Sequence, residues 1–354
     1  MHIAILTFQF AHNYGALLQT FALKQYLQSL GHDVDVAPYY PQWAQKEYAN
    51  SPFAKGISLK KRIRLTVLYP KRKRIVARFE DFKKNCLKLS EYFTTESELK
   101  VYLNRYDVVV FGSDQIWNNN ITDATSAYFG NDISPDRVAY AASLGTNVLT
   151  EVQKQNAKKY LPRFKAISVR ESLSKDLLEQ VVKETIHTVV DPVFLLSQED
   201  WESECTPVKL RGKFMFLYFL RDDQLLLEYA YKYAKAHDLP IYEVHPTLAR
   251  FHTGCIPLID VGPREFLWLI KNSECVCTNS FHATSFSFIF RKKLLHIPNE
   301  VSPERTESLL SYLGIDVSNN GVNLPLYDLS KCNYSIFDAA VNESKQYLLQ
   351  IGER

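Results

Sequence analysis

The sequence predicts an α/β protein with two domains, each built on a parallel β-sheet. Short apolar runs alternate with segments of helical periodicity over residues 1–196, and the same alternation is repeated over residues 213–330. A polar stretch at residues 197–212 separates the two series and is expected to be a linker. The length of 354 residues fits two domains of ordinary size. Residues 331–354 carry one more helix, which could return to the N-terminal domain.

The N-terminal domain begins with a βαβ pattern. The strand run Ile3–Phe8 is followed by apolar residues at helical spacing over Ala16–Leu30, and Gly31 stands where a helix stops. The next strand is predicted at Asp33–Val36. The remaining elements follow by the same criteria, with strands at Asp107–Phe111, Val138–Ala142, Ala166–Val169 and Thr188–Val190 and helices at Glu151–Leu161 and Ser174–Val182.

The C-terminal domain shows the same order of elements. Its strands are predicted at Lys213–Leu220, Ile241–Val244, Cys275–Thr278 and Leu294–Ile297. Its helices are predicted at Leu225–Ala236, Pro263–Ser273, Ala283–Phe290 and Pro303–Leu313, and the terminal helix at Ile336–Ile351.

The composition excludes an integral membrane protein. Hydrophobic residues make up 46% of the chain and charged residues 23%, and none of the apolar runs approaches the ~20 residues that a spanning helix needs. The six cysteines do not form a disulfide framework, and the first residues lack the features of a secretory signal. We therefore expect a reduced, cytoplasmic protein that could be peripheral to the inner membrane face.

The positive charge is concentrated in one segment. Residues 55–88 contain 13 Lys and Arg but 2 acidic residues, a net charge of +11, so the rest of the chain carries +3 − 11 = −8. This balance does not predict a nucleic-acid-binding protein. Lys60–Arg74 mixes basic with aliphatic residues, which suits the surface of an anionic membrane. A solvated helix remains the alternative.

A polar loop after the first strand contains His12, Asn13, Tyr14 and Gly15. The carboxyl end of a strand in an open α/β sheet is where ligands bind, and a glycine there lets a ligand approach the backbone. The alternative is that Asn13 caps the helix and Gly15 forms a tight turn. The loop lacks a G-x-G-x-x-G motif, which disfavours a dinucleotide site.

A second polar segment, Gly112–Trp117, directly follows an apolar strand. Asp114 and Gln115 form a pair suited to sugar hydroxyls, because a carboxylate accepts hydrogen bonds and an amide both donates and accepts them. Trp117 could stack on a sugar face. The alternative is a capped helix start with a buried tryptophan.

Basic groups also stand at strand ends. Thr278–His282 follows an apolar strand and opens a helix, where an anion is stabilised and a histidine can exchange a proton near neutral pH. Arg170 follows a predicted strand in the same way and could bind a carboxylate or phosphate in a bidentate manner. Arg291 and Arg305 are further candidates. Cys275 and Cys277 are expected to be buried thiols, since their spacing with His282 does not suit a metal.

Several of these segments occur in the same order in the polysaccharide pyruvyl transferase family, which the sequence resembles over residues 1–300. The matching segments are Ile5–Thr7, Asn13–Gln19, Gly112–Trp117, Tyr140–Gly145, Ile167–Glu171, Asp191–Val193 and Ser280–His282. Each motif is weak alone, whereas the ordered set is specific for the family.

The resemblance implies two Rossmann-like domains that face a cleft, as in the GT-B architecture, with the acceptor on the N-terminal side and the donor on the C-terminal side. It implies phosphoenolpyruvate as co-substrate, with neither cofactor nor metal. The acceptor would be a hydroxyl pair on a hexose of a surface or capsular polysaccharide precursor, which could be lipid-linked. The product would be a pyruvate ketal.

The resemblance also implies roles for individual residues. Arg170 matches an arginine that holds the donor, and His282 matches the histidine of the C-terminal motif. Better-described members carry an arginine two residues before this histidine, where this chain has Ser280, so either Arg305 or Arg291 supplies the charge or the donor differs. With the positions of the polar residues, this predicts His282 and Asp114 as the catalytic residues, Asp114 being suited to accept the proton of the acceptor hydroxyl. The predicted donor site is Arg170, Ser280, His282 and Arg305, and the predicted acceptor site is Asn13, Tyr14, Gly15, Asp114 and Gln115.

Two alternatives remain. A GT-B glycosyltransferase that uses a nucleotide sugar would share the fold, although the second half lacks a convincing acidic pair for a donor ribose. A non-catalytic glycan-binding assembly protein could instead be anchored through Lys60–Arg74.

Overall fold

The structure, a computed structural model, describes residues 1–48, 58–89, 91–123, 125–246, 251–298, 303–316 and 325–352. Its first sheet has six parallel strands in the order β2-β1-β3-β4-β5-β6. They are β1 (His2–Leu6), β2 (Asp33–Val36), β3 (Val108–Phe111), β4 (Asp136–Ala142), β5 (Ala166–Val169) and β6 (Ile186–Thr188).

Both faces of this sheet are covered. In β1, Ile3 and Ile5 pack into one buried cluster, while Ala4 and Leu6 pack into another on the opposite face. A parallel strand buried on both faces is therefore apolar at every position, which explains the continuous run in the sequence. The helices of this half are α1 (Tyr14–Ser29), α2 (Gln42–Glu47), α3 (Leu59–Asn85), α4 (Glu96–Leu103), α5 (Asn119–Thr122), α6 (Glu151–Tyr160), α7 (Ser172–Glu179) and α8 (Gln198–Ser203).

The second sheet has the order β12-β11-β10-β7-β8-β9, and it is parallel except for β12, which runs antiparallel to β11. Its strands are β7 (Met215–Tyr218), β8 (Ile241–Glu243), β9 (Ile256–Pro257), β10 (Cys275–Thr278), β11 (Lys293–Leu295) and β12 (Leu326–Asp328). The helices here are α9 (Gln224–Ala236), α10 (Pro263–Asn272), α11 (Phe281–Ile289), α12 (Glu304–Ser311) and α13 (Ser335–Leu349). The predicted class, α/β with two parallel sheets, is confirmed.

The stretch expected to be a linker begins with a helix. Ser197 caps α8 in a capping box with Asp200, and Trp201 is fully buried, with its Nε1 donating to the carbonyl of Val193 at 2.8 Å. The capping box explains why a short polar segment is helical. The buried indole ties the segment to the core rather than leaving it extended.

The two sheets are packed against each other. The Tyr14 ring of α1 stacks on Phe266 of α10, with centroids 4.3 Å apart. The terminal helix α13 crosses back to the first sheet, where the hydroxyl of Tyr347 donates to the carbonyl of Ala139 at 2.9 Å. The carboxyl ends of β1, β3 and β5 thus lie near those of the second sheet.

No helix in the described ranges is both long and apolar enough to cross a bilayer.

Candidate functional site

Arg170 is held at the end of β5 by two carboxylates. Its Nε donates to Glu171 Oε1 at 2.8 Å, and its Nη1 donates to Asp191 Oδ2 at 2.7 Å. Asp191 also caps the turn that follows it, because its Oδ1 accepts from the backbone N–H of Val193 at 3.1 Å. All three charged side chains are buried. The guanidinium is therefore fixed in orientation before any ligand arrives.

The charges in this cluster support one another. Burial alone would lower the pKa of Arg170, but the charges of Glu171, Asp191 and Asp114 raise it above its usual value. Burial likewise opposes ionisation of Asp191, yet the neighbouring His282 and the charge of Arg170 hold the pKa of Asp191 well below its usual range. Asp191 is consequently a carboxylate at any ordinary pH.

His282 comes from the other sheet and completes the cluster. It lies in the first turn of α11, and its Nε2 is 3.6 Å from Asp191 Oδ2. The opposite side of the ring faces Gly15: a Cβ built on Gly15 would stand 2.0 Å from His282 Nδ1. Gly15 lies in the first turn of α1 rather than in the loop expected from the sequence, and this turn can approach the imidazole because residue 15 has no side chain.

A second arginine shares the site. The guanidinium carbons of Arg170 and Arg305 lie 4.6 Å and 5.0 Å from the centroid of the Phe281 ring, and Arg305 Nε is 3.7 Å from Glu171 Oε1. Burial and the nearby Arg170 lower the pKa of Arg305. A bound anion would offset the electrostatic cost of burying these two cations beside one ring, and it would reduce the repulsion between them.

These groups border a pocket of about 350 Å³ between the two sheets, which Arg170, Asp191, Phe281 and Arg305 help to line. Among the described residues, Arg170 Nη2, Arg305 Nε and His282 Nε2 are buried and make no hydrogen bond. Buried nitrogen atoms normally have partners. The arrangement can therefore bind a small anion that carries carboxylate or phosphate oxygens.

Asp114 and Gln115 lie on the adjacent loop after β3. Asp114 is half-buried, and its Oδ1 accepts from the backbone N–H of Gln115 at 2.9 Å. Its charge acts on both Arg170 and Arg305. The side-chain oxygen of Gln115 accepts from Asn118 Nδ2 at 2.7 Å. Asp114 thus lies near the anion pocket, whereas Gln115 is partly engaged within its own loop.

Asn13 and Tyr14 have structural partners. Asn13 caps α1, with its Oδ1 accepting from the N–H of Ala16 at 3.2 Å. Tyr14 is buried between the sheets, and its hydroxyl donates to the carbonyl of Val261 at 2.9 Å. Both residues border a second interdomain pocket of about 520 Å³, which is also lined by Phe79 and Tyr218. Their role as acceptor ligands stays a prediction.

Ser280 and Trp117 have other local roles. Ser280 is buried as the N-cap of α11, with its Oγ accepting from the N–H of Ala283 at 3.4 Å.

The structure contradicts the hypothesis that Trp117 stacks on a sugar: the indole is fully buried and donates to the carbonyl of Tyr128 at 3.1 Å. Its size and apolar surface favoured burial in the core beneath the loop.

The structure adds Glu171 and Asp191 to the predicted set. Both lie in segments that match the family, Ile167–Glu171 and Asp191–Val193, but the sequence did not predict a role for either at the site. The available signal was a carboxylate directly beside Arg170 and another three residues after β6. Cys275 and Cys277 are both buried in β10, as expected. Within the described ranges, no group of three His, Cys, Asp or Glu residues is arranged to hold a metal ion.

The fold and the site together define a two-domain α/β protein of the GT-B architecture, with charged side chains from both domains around one pocket. The family model described as polysaccharide pyruvyl transferase matches residues 13–300. The chain therefore belongs to the polysaccharide pyruvyl transferase family, as the ordered motifs predicted. No curated protein matches the chain in sequence.

Solved structures share the architecture at low sequence identity. A putative UDP-N-acetylglucosamine 2-epimerase from Listeria monocytogenes has a TM-score of 0.52 and 12% identity, covering 99% of this chain and 90% of that one. The UDP-GlcNAc 2-epimerase from Methanocaldococcus jannaschii has a TM-score of 0.47 and 13% identity, covering 99% of both chains. The ADP-heptose lps heptosyltransferase II from E. coli has a TM-score of 0.38 and 13% identity, covering 99% and 100%. At such identities, the similarity concerns the fold alone.

Proposed function

We propose that the protein transfers the pyruvyl group of phosphoenolpyruvate to a hydroxyl pair on a hexose of a polysaccharide precursor and forms a pyruvate ketal. The observation that carries this proposal is the pocket lined by Arg170, Arg305 and Asp191, with His282 Nε2 3.6 Å from the Asp191 carboxylate. In the part of the chain that the structure describes, Arg170 Nη2, Arg305 Nε and His282 Nε2 are buried and make no hydrogen bond. Phosphoenolpyruvate presents both a carboxylate and a phosphate, the two groups that arginine binds most strongly.

Arg305 takes the place of the arginine that other members carry at the position of Ser280. It shares the Phe281 ring with Arg170, whereas the Arg291 guanidinium lies 4.5 Å from the centroid of the Tyr334 ring and borders a different pocket. Of the two substitutes that the sequence suggested, Arg305 is therefore the one we assign to the donor.

His282 is proposed as the acid and Asp114 as the base. Protonation of the donor C3 by His282 makes a methyl group and leaves C2 electron-deficient. The first acceptor hydroxyl attacks C2 while Asp114 accepts its proton. The second hydroxyl then closes the ketal as the C2–O bond to phosphate breaks, its proton passes to the now neutral His282, and Asp114 gives its proton to the departing phosphate. Such proton transfer contributes ~10²–10⁴ in rate. The Asp191 carboxylate lies 3.6 Å from His282 Nε2 and so faces the proposed acid.

The acceptor is assigned to the side formed by Asn13, Gly15, Asp114 and Gln115. The neighbouring interdomain pocket is lined by Tyr14, Phe79 and Tyr218. Aromatic rings beside polar groups suit the two faces of a sugar. Packing of the two domains around the pocket would keep water from capturing the electron-deficient intermediate.

The test measures phosphate release from phosphoenolpyruvate with a panel of galactosides, glucosides and mannosides. We expect release that depends on an acceptor. His282→Ala should abolish turnover while the protein still folds, and the exposed His237→Ala should leave it unchanged. Nucleotide release from a nucleotide sugar without phosphate release would instead establish a glycosyltransferase. Acceptor binding that survives loss of both His282 and Arg170, without phosphate release, would establish a non-catalytic glycan-binding protein.

A second series of variants tests the assignment of the arginines. Lysine keeps the charge but loses the planar fork. Arg170→Lys and Arg305→Lys should therefore raise the donor KM more than the acceptor KM, and Arg291→Lys should change neither. Equal rises in both KM values would show that Arg170 acts structurally, and an effect of Arg291→Lys alone would reverse the assignment of Arg305.

A further inference from the structure

Helix α3 carries a row of aliphatic side chains that nothing in the described structure covers. Leu59 is 74% exposed, Ile63 is 58% exposed and Val67 is 73% exposed. The three residues are four positions apart, so they lie on one face of the helix. We call Leu59, Ile63 and Val67 the aliphatic stripe. Contiguous apolar surface of this kind marks an interaction site.

The opposite face of α3 is the one that packs against the protein. Leu65 and Phe79 are buried, and Ile75 and Phe79 line the interdomain pocket. Arg78 joins the helix to the second domain, with its Nε donating to Asp260 Oδ1 at 3.1 Å. Since these contacts hold the helix in place, the aliphatic stripe is not needed for its attachment.

Basic residues surround the aliphatic stripe. Lys60 and Arg62 alternate with it, Lys73 and Arg74 follow about two turns after Val67, and all four side chains are exposed. The chain has no acidic residue between Leu59 and Phe79. The local net charge of +11 includes Lys55, which lies outside the described residues.

We infer that α3 docks on an anionic lipid bilayer, with the aliphatic stripe at the headgroup boundary and the basic side chains against lipid phosphates. An interfacial helix combines these two features: aliphatic side chains enter the boundary and cations bind the headgroups. A nucleic acid would use the cations but leave the aliphatic stripe without a role. A bilayer surface would use both features, which lie on the same helix.

The same helix connects the bilayer to the pocket. It has 27 residues, which corresponds to a length of about 40 Å, and its C-terminal half lines the interdomain pocket. A docked α3 thus holds this pocket near the membrane surface, where a lipid-linked glycan is carried. This last step rests on the proposed function, whereas lipid binding does not.

The test is flotation of the full chain with vesicles of phosphatidylcholine alone or of phosphatidylcholine with phosphatidylglycerol. We expect flotation only with the anionic vesicles and a loss of binding in high salt, because charges are screened beyond ~10 Å at 0.1 M and ~3 Å at 1 M ionic strength. Absence of binding in low salt overturns the inference, whatever the enzyme assay shows. Failure of phosphate release with intact vesicle binding overturns the proposed function alone.

Matched variants separate the aliphatic and basic contributions. Replacing the aliphatic stripe by serine (Leu59→Ser, Ile63→Ser, Val67→Ser) should weaken vesicle binding by about tenfold or more. The control is the same replacement at Val101, Val148 and Ile336, which are 71%, 73% and 67% exposed on other surfaces. Equal binding by the two triple variants overturns the inference.

The second pair of variants changes charge. Lys60→Gln, Arg62→Gln, Lys73→Gln and Arg74→Gln together should abolish flotation, whereas the same change at the exposed Lys209, Arg211, Lys235 and Lys331 should not. All replaced side chains are exposed, so unchanged circular dichroism is expected and serves as the folding check. Binding that an added RNA removes, and that the aliphatic variant retains, would identify a nucleic-acid site and overturn the inference.

Discussion

At the scale of single residues, Gly15 explains how two distant segments can meet. The first turn of α1 touches the His282 imidazole, which belongs to α11 of the other domain, and the contact leaves no space for a Cβ. The glycine is therefore required by a close approach across the domain boundary. The sequence placed both residues near strand ends, but it did not indicate that they face each other.

We predict that Gly15→Ala lowers both stability and turnover, because the new Cβ would stand 2.0 Å from His282 Nδ1 and 2.3 Å from its Cγ. The cost should largely disappear in a His282→Ala background, where the methyl group has space. A double-mutant cycle of unfolding free energies in urea should give a coupling of about 0.5–3 kcal/mol. Strictly additive costs would contradict the contact.

At the scale of elements, a partly buried ionic cluster joins the loop after β1 to α3. Glu80 accepts from His12 Nε2 at 2.6 Å and pairs with Lys83 at 3.0 Å. Lys83 also donates to the carbonyl of Phe10 at 2.8 Å. Burial would raise the pKa of Glu80, but the hydrogen bond from His12 and the charge of Lys83 lower it to about 2. The ionised carboxylate therefore helps to attach α3 to the first sheet.

This depressed pKa predicts how stability depends on pH. Above about pH 4.5, the usual pKa of glutamate, ionised Glu80 stabilises the folded protein. The contribution should shrink as the pH falls below that value and vanish near pH 2, because protonation then occurs in both states. The stability difference between wild type and Glu80→Gln, measured by thermal unfolding from pH 7 to pH 3, should follow this course.

The expected difference at pH 7 is modest, about 1 kcal/mol or less, since Glu80 is half-exposed and its charge is screened by water. Glu151→Gln provides the control, because Glu151 makes the same i,i+3 pair with Lys154 at 2.7 Å on a more exposed surface. A difference for Glu80→Gln that increased on acidification would have the wrong sign and would exclude this role.

At the scale of the whole molecule, the domains are joined by specific contacts rather than by a single linker. Tyr14 stacks on Phe266 and donates to Val261 across the boundary. From the other end of the chain, Ser344 of α13 accepts from the buried N–H of Val190 at 2.9 Å. That contact directly precedes Asp191, so the C-terminal helix also supports the anion pocket.

We predict that Tyr14→Phe costs about 1 kcal/mol of unfolding free energy through the lost hydrogen bond, and that Tyr14→Ala costs about 3–5 kcal/mol through the cavity it leaves. The control is Tyr128→Phe. Within the described part of the chain the buried Tyr128 hydroxyl makes no hydrogen bond, so its removal should leave the unfolding free energy unchanged. Urea denaturation measures all three.

The same variants test the role that the sequence suggested for Tyr14. If its contribution is domain packing, Tyr14→Phe should leave the acceptor KM unchanged. A rise in acceptor KM of tenfold or more, at unchanged stability, would identify the hydroxyl as an acceptor ligand instead.

The sequence alone was sufficient to predict the two parallel sheets. Strands such as β1, β3 and β10 are buried on both faces, so each contains an uninterrupted apolar run that is visible locally. The sequence did not give the bounds of α3, because long basic side chains obscure its periodicity. It also did not predict β9 and β12, which are short edge strands of two and three residues.

The ends of strands could also be recognised locally, and with them Arg170, His282 and Asp114. The tertiary structure alone decided which polar groups meet. Asp191 joins Arg170 to His282 because β6 pairs with β5 and α11 packs against the turn that follows β6. Local sequence spacing carries no information about such contacts between distant segments. The same packing buried Trp117 and engaged Tyr14 between the domains. Local pattern determines which face of an element is buried, whereas only the packing of elements determines what lies opposite.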